Sequence, residues 1–267
     1  MTDDVVEYDL NDGVATLTWN RPERKNAWTM EMQARYYDLL GRCEADDGVR
    51  VIVVTGAGDS FCPGVDTEDL QVYSDTGDFN PEADKIPYSD WYPFEVRKPL
   101  IAAINGRCAG FGLVQALMCD VRIGAAGTRM STAFARRGLP ALHGIAWLLP
   151  RLVGAGRATE LILSGRTFTS EEAAAIGLLH QLVDADEVLS TAHAYAADLA
   201  QNCSPASWVD MKAQLRLADS QTLSEAVEEG LHREKRALSS ADFAEGIASF
   251  VERRPPSFGP ARLRDTQ

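Results

Sequence analysis

The chain has 267 residues, 45% of them hydrophobic, enough to bury a sizeable core as one large domain or a domain with an appendage. A formal charge of −13, from 26 basic and 39 acidic residues, excludes an extended nucleic-acid surface, which needs a basic stripe. Five cysteines at irregular spacing fit a reducing compartment. The acidic start Met1-Thr2-Asp3-Asp4 and the lack of a membrane-length apolar run give the expectation of a cytoplasmic protein without a membrane partner.

In chain order, residues 5–20 read as two strands joined by Asn11-Asp12-Gly13, whose Asp-Gly step suits a tight hairpin. Helical spacing of Met32, Tyr36, Leu39, Leu40 and Cys43 predicts a helix over 29–46, and RVIVVTG then reads as a buried strand. Residues 74–90, rich in Asp, Pro and Gly, read as a loop, either over the site or without a role. PLIAAING (99–106), an apolar helix near 112–118 and CDVRIGAA (119–126) repeat the strand-helix-strand pattern and imply a mostly parallel sheet. From about residue 155 strand signals fade. Thr169-x-x-Glu172 and Thr222-x-x-Glu225 look like capping boxes in a helical final third.

Two segments carry glycines where a strand hands over to a helix: GAGDSFCPGVD (56–66) and NGRCAGFGLV (105–114). Such junctions present free backbone N–H groups, and two of them side by side can hold one oxyanion; they can equally be ordinary turns. Neither fits dinucleotide or P-loop spacing. Cys62 adjoins the first junction, with packing the better reading of its thiol. The four histidines show no metal-ligand spacing, so no metal site is expected.

Four landmarks stand in order: Arg21-Pro22 through Asn26-Ala27, FCPGVD (61–66), KPLIAAINGRCAGFG (98–112) with MCD (118–120), and GLPALHGIAWLLPRLVG (138–154). With SGRTFTSEEAAAIGLLHQLV (164–183) and EGIASFVERRPPSF (245–258), this set resembles the crotonase superfamily, the enoyl-CoA hydratase/isomerase family, over nearly the whole chain. The resemblance implies an α/β fold: a spiral of β-β-α units over 1–200, with a helical trimerisation region over 201–267. It also implies an acyl-CoA enzyme of the lyase or isomerase class, working as a homotrimer or dimer of trimers. Coenzyme A enters as part of the substrate, with no separate cofactor.

By motif position the thioester oxygen is held by the backbone amides of Val65 and Phe111. The coenzyme A body is held by the loop at Lys25 and Ala27, by Pro63, Asp66 and Thr67, and by Arg253 or Arg254. The same register places the two glutamates of a hydratase at Val114 and Phe134, and a third acidic position at Leu142; this chain has apolar residues at all three. General acid-base chemistry at those positions is therefore lost. His143, beside Leu142, is a candidate replacement, although a lone histidine is also commonly structural. The aromatics Tyr73, Tyr88, Trp91, Tyr92 and Phe94 read either as an acyl pocket or as ordinary packing.

Overall fold

The computed structural model describes residues 4–77 and 86–260. Of the loop expected over 74–90, residues 78–85 lie outside the described part. The chain opens with an antiparallel hairpin, β1 (Val6–Asn11) and β2 (Val14–Trp19), turned by Asp12 and Gly13 at φ 47° and 81°. Two positive φ values in a two-residue turn match the right-handed twist of the strands. Helix α1 (Met30–Ala45) crosses over to β3 (Val51–Gly56), a tight turn leads into β4 (Ser60–Cys62), and α2 (Thr67–Thr76) follows.

After the short α3 (Tyr92–Glu95), the same unit recurs as β5 (Leu100–Ile104), β6 (Arg107–Ala109) and α4 (Phe111–Met118). Next come β7 (Val121–Ala125), β8 (Arg129–Ser131), α5 (Ile145–Val153) and α6 (Ala155–Ser164). Then β9 (Thr167–Thr169), α7 (Ser170–Ala175), β10 (Gln181–Val183) and α8 (Val188–Asn202) complete the sheets and their cover. Helices α9 (Pro205–Leu217), α10 (Leu223–Ala237) and α11 (Ala241–Glu252) end the described chain.

The long strands form a six-stranded sheet in the order β1-β2-β3-β5-β7-β10, parallel except for the first pair. The three-residue strands form a second sheet, β4-β6-β8-β9, in which only β8 and β9 are antiparallel. From β3 onward each β-β-α unit thus gives one strand to each sheet, the spiral that the resemblance implied. No helix among the described residues is long and apolar enough to cross a membrane.

Both faces of the large sheet are covered, which is why β3 and β5 read as unbroken apolar runs. Val51, Val53, Ile101 and Ala103 face α8, whose Ala192, Ala196 and Ala200 recur every fourth residue and let the helix lie close. The alternate residues Ile52, Val54, Leu100 and Ala102 join the larger core beneath α1 and α4. The final third is less uniformly helical than its sequence suggests, because β9 and β10 interrupt it. At three residues each, they carry too little period to be read. Thr222 and Glu225 form a complete capping box, whereas Thr169 caps α7 while Glu172 turns to Arg166 instead.

Helix α9 is pinned to the core by two cations. Lys212 donates to Asp120 and to the Lys98 carbonyl, and Arg216 donates to the carbonyls of Phe94 and Val96. Lys212→Ala removes the cation from Asp120, whose exposed carboxylate still accepts the Leu100 N–H (2.8 Å). It should cost about 1–2 kcal/mol, well below the value for a buried pair because Asp120 keeps water and that bond. Urea unfolding followed by tryptophan fluorescence checks this, and a loss under 0.5 kcal/mol, roughly that of an ordinary surface substitution, counts against the pinning role.

Candidate active site

Pairing of β4 with β6 sets the two glycine junctions side by side. Gly64 has φ 111°, and a Cβ built on it would lie 3.3 Å from the Ala109 carbonyl and 3.7 Å from the Phe111 nitrogen. Gly110 has φ 52° and ψ −124°, a backbone that side chains disfavour, and its own Cβ would lie 3.7 Å from the Gly64 Cα. Two side-chain-free residues thus bring the Val65 and Phe111 peptides together.

The amide directions follow from what their neighbours bond. Trp28 bridges Val65 in parallel: its N–H donates to the Gly64 carbonyl (2.8 Å) and its carbonyl accepts from the Asp66 N–H (2.9 Å). In extended backbone successive groups alternate, so the Val65 N–H faces the other way. Phe111 opens α4 and has no helical acceptor. Among the described residues nothing hydrogen-bonds either amide.

Both residues line one cleft of ≈ 440 Å³. Lys25, Ala27, Pro63, Asp66, Thr67 and Phe134 line it too, so eight of the residues singled out from sequence converge there. Val114 is fully buried and Leu142 partly so; both belong to the packed core beneath. Arg253 caps the end of α11, and Arg254 is engaged by Glu245 and Glu252, so neither lines this cleft in a single chain.

The cleft also holds Arg24, Arg107 and Arg137, which the sequence reading passed over. With Lys25 they outnumber the acidic residues of the same lining, Glu23 and the Arg21-paired Asp66, although Arg24 is itself engaged by Glu68. Arg107 sat inside a quoted motif, but Arg137 carried no spacing cue.

The loop that bears Lys25 and Ala27 is framed by polar contacts. Arg21 donates to the Ala27 carbonyl (2.5 Å) and to Asp66 Oδ2 (3.1 Å). Buried Asn26, at φ 59°, donates to the carbonyls of Ala57 (2.9 Å) and Ser60 (2.7 Å). Asp66 accepts the Glu68 N–H as the N-cap of α2. Burial raises its carboxyl, but the Glu68 amide and Arg21 outweigh that and hold it below the usual range. Cys62 is the opposite case: burial pushes its thiol up to about 12, so it is protonated near neutral pH and serves as packing.

A second cavity of ≈ 420 Å³ lies beyond the Phe111 side chain, lined by Asp90, Trp91, Phe94, His143, Trp147 and Leu148 among others. The Phe111 ring is held between Trp28 (centroids 4.9 Å) and His143 (4.5 Å, edge-on). Of the aromatics weighed from sequence, Trp91 and Phe94 line this cavity, while Tyr88 and Tyr92 stack at 4.4 Å and pack on Tyr37.

Comparison with known proteins gives the class to which this β-β-α spiral belongs. The family model for enoyl-CoA hydratase/isomerase matches residues 9–261, and the chain belongs to that family. It is 34% identical to the 1,2-epoxyphenylacetyl-CoA isomerase of Escherichia coli K12, over 93% of this chain and 96% of that one. It is 35% identical to an enoyl-CoA hydratase of Alternaria alternata, over 92% and 83%. The crystal structure of an enoyl-CoA hydratase from Polaromonas sp. JS666 superposes with a TM-score of 0.88 at 27% identity, covering 95% of this chain and 99% of that one.

Because the Asp66 carboxyl is held below its unfolded value of about 3.9, its stabilisation is complete above that pH and fades as pH falls through the folded value. Asp66→Ala should therefore cost about 1–2 kcal/mol at pH 7 and clearly less at pH 3. Urea unfolding at the two pH values reads the difference, and an equal cost at both would remove the carboxylate from the explanation.

Proposed function

We propose that the chain is an acyl-CoA enzyme that holds its thioester carbonyl between the Val65 and Phe111 amides and stabilises the oxyanion or enolate formed there. The observation that carries this is the pair of adjacent, unpartnered amides opening into a cleft lined by Arg24, Lys25, Arg107 and Arg137. Backbone donors fixed in advance cost no reorganisation as charge develops, and one such donor contributes about 10²–10³ in rate in other enzymes. The cations suit the phosphates of coenzyme A, which enters as part of the substrate with no further cofactor.

The reaction is not ordinary two-glutamate hydration. The positions at which the family resemblance places carboxylates hold Val114, Phe134 and Leu142, all packed into the apolar core. Thioester hydrolysis, decarboxylation or carbon-carbon cleavage fits the same oxyanion. A binding protein without turnover is the second reading, favoured by the same three apolar residues. Incubation with a panel of acyl-CoA thioesters separates the two, product formation supporting the enzyme and saturable binding without conversion the binder.

Hydration of crotonyl-CoA should be slower by about 10⁴ or more than in a two-glutamate hydratase, since two acid-base groups are absent and such groups act as a unit. Val114→Glu and Phe134→Glu together should raise it above either single change. Turnover at many per second by the unaltered chain would overturn this reading.

Assembly as a trimer or dimer of trimers is proposed from the apolar faces of the last helices. Leu223, Phe250 and Val251 are 83%, 82% and 71% exposed in the single chain, more apolar surface than a monomer usually leaves in water. Light scattering at micromolar concentration should give the mass of three or six chains, and a monomer alone would refute the assembly.

A further inference from the structure

The second cavity carries the titratable group that the carboxylate positions lack. His143 sits at φ 53°, a left-handed backbone that costs most side chains about 1–2 kcal/mol and suits glycine better. Its ring is fixed from two sides, with Nδ1 3.6 Å from Asp90 Oδ2 and the ring edge-on to Phe111. The nearby His143 ring, with help from Gln33 and against partial burial, holds the Asp90 carboxyl below its usual range. The Asp90 carbonyl is itself anchored by the Tyr37 hydroxyl (2.9 Å).

Trp28 ties His143 back to the thioester cleft. Its backbone brackets Val65, its indole N–H donates to Gln33 Oε1 (3.1 Å), and its ring packs on Phe111, whose ring His143 also meets. With Nδ1 turned to Asp90, Nε2 is the ring nitrogen to which no described residue hydrogen-bonds. The rest of the wall is Trp91, Phe94, Met118, Trp147 and Leu148, an apolar and largely aromatic surface. Apolar cavities of about 150 Å³ already accept a benzene ring, so ≈ 420 Å³ has room for an aryl group.

We propose that this cavity takes an apolar, aromatic acyl group and that His143 is the catalytic group moving a proton at its α-carbon, with Asp90 as the positioning residue. The inference rests on the thioester being held by Val65 and Phe111. In the step, the α C–H bond breaks and its proton goes to the Nε2 lone pair. The electron pair forms a carbon-carbon double bond, and the carbonyl π pair moves onto the oxygen held by the two amides. The reverse step returns a proton after the imidazolium has exchanged with solvent.

Phenylacetyl-CoA in D₂O tests this without knowledge of the natural reaction. Mass spectrometry should show deuterium entering the α-position faster than without protein. His143→Gly, which the positive φ tolerates, should slow exchange about 10²-fold or more, and added imidazole should restore part of it. Asp90→Asn should lower the maximal rate about 10–10²-fold with half-saturation changed less than about twofold, and Asp90→Glu should recover some of the loss. Equal exchange in His143→Gly and the unaltered chain overturns the proposal, as does bound phenylacetyl-CoA that does not exchange. If neither phenylacetyl-CoA nor acetyl-CoA binds, the thioester reading falls as well.

Discussion

The close approach of two backbones, at Gly64 and Gly110, is the constraint on which the site depends. It follows from sheet register: β4 pairs with β6 as β3 pairs with β5, so the exits of two successive β-β-α units lie next to each other. A side chain at Gly64 would press on the Ala109 carbonyl, and one at Gly110 would meet a disfavoured backbone. Only with both absent can the two amides come close enough for the shared acceptor proposed above. Because the donors are main-chain groups, the chemistry next to them can change without disturbing them.

A second layer of contacts keeps that approach rigid. The parallel bridge between Trp28 and Val65 fixes which side of the chain offers its N–H to the cleft. Arg21, Asn26 and Asp66 join the preceding loop to the same segment. Trp28 then serves twice, its backbone holding Val65 and its indole packing on the Phe111 ring. One residue therefore couples both amide donors, and α9 braces the neighbouring wall through Arg216 and the Phe94 carbonyl. The helices after residue 200 are thus tied to the site wall as well as carrying exposed apolar faces.

How much of this was legible in sequence depends on the length scale of each signal. VIVVTG and LIAAI were readable as buried strands because both faces are covered, and α1 because its apolar positions keep helical spacing. The three-residue strands of the small sheet follow tight turns and have no period, so their residues looked like parts of loops until the family resemblance supplied β-β-α units. The cleft residues next to quoted motifs were found, whereas Arg137 was not. His143 drew notice only by standing beside Leu142. Its partner Asp90 lies far away in sequence at the edge of the Asp-rich loop, where nothing local marks it.

Under the proposed function, the same packing explains why the acid-base group would have to come from a new place. All eight residues of α4 are buried, and Val114 has no solvent access. A carboxylate there must be kept charged by partners or a shared water, because desolvation otherwise pushes it to the neutral form. An apolar side chain removes that requirement and stabilises the core, but it takes the proton-transfer group away from the helix that carries the Phe111 amide. The turn before α5 can supply one at less cost. His143 is partly open to water, has a carboxylate 3.6 Å from Nδ1, and touches the ring of the residue whose amide faces the cleft. Acid-base chemistry and core packing then no longer compete for the same position.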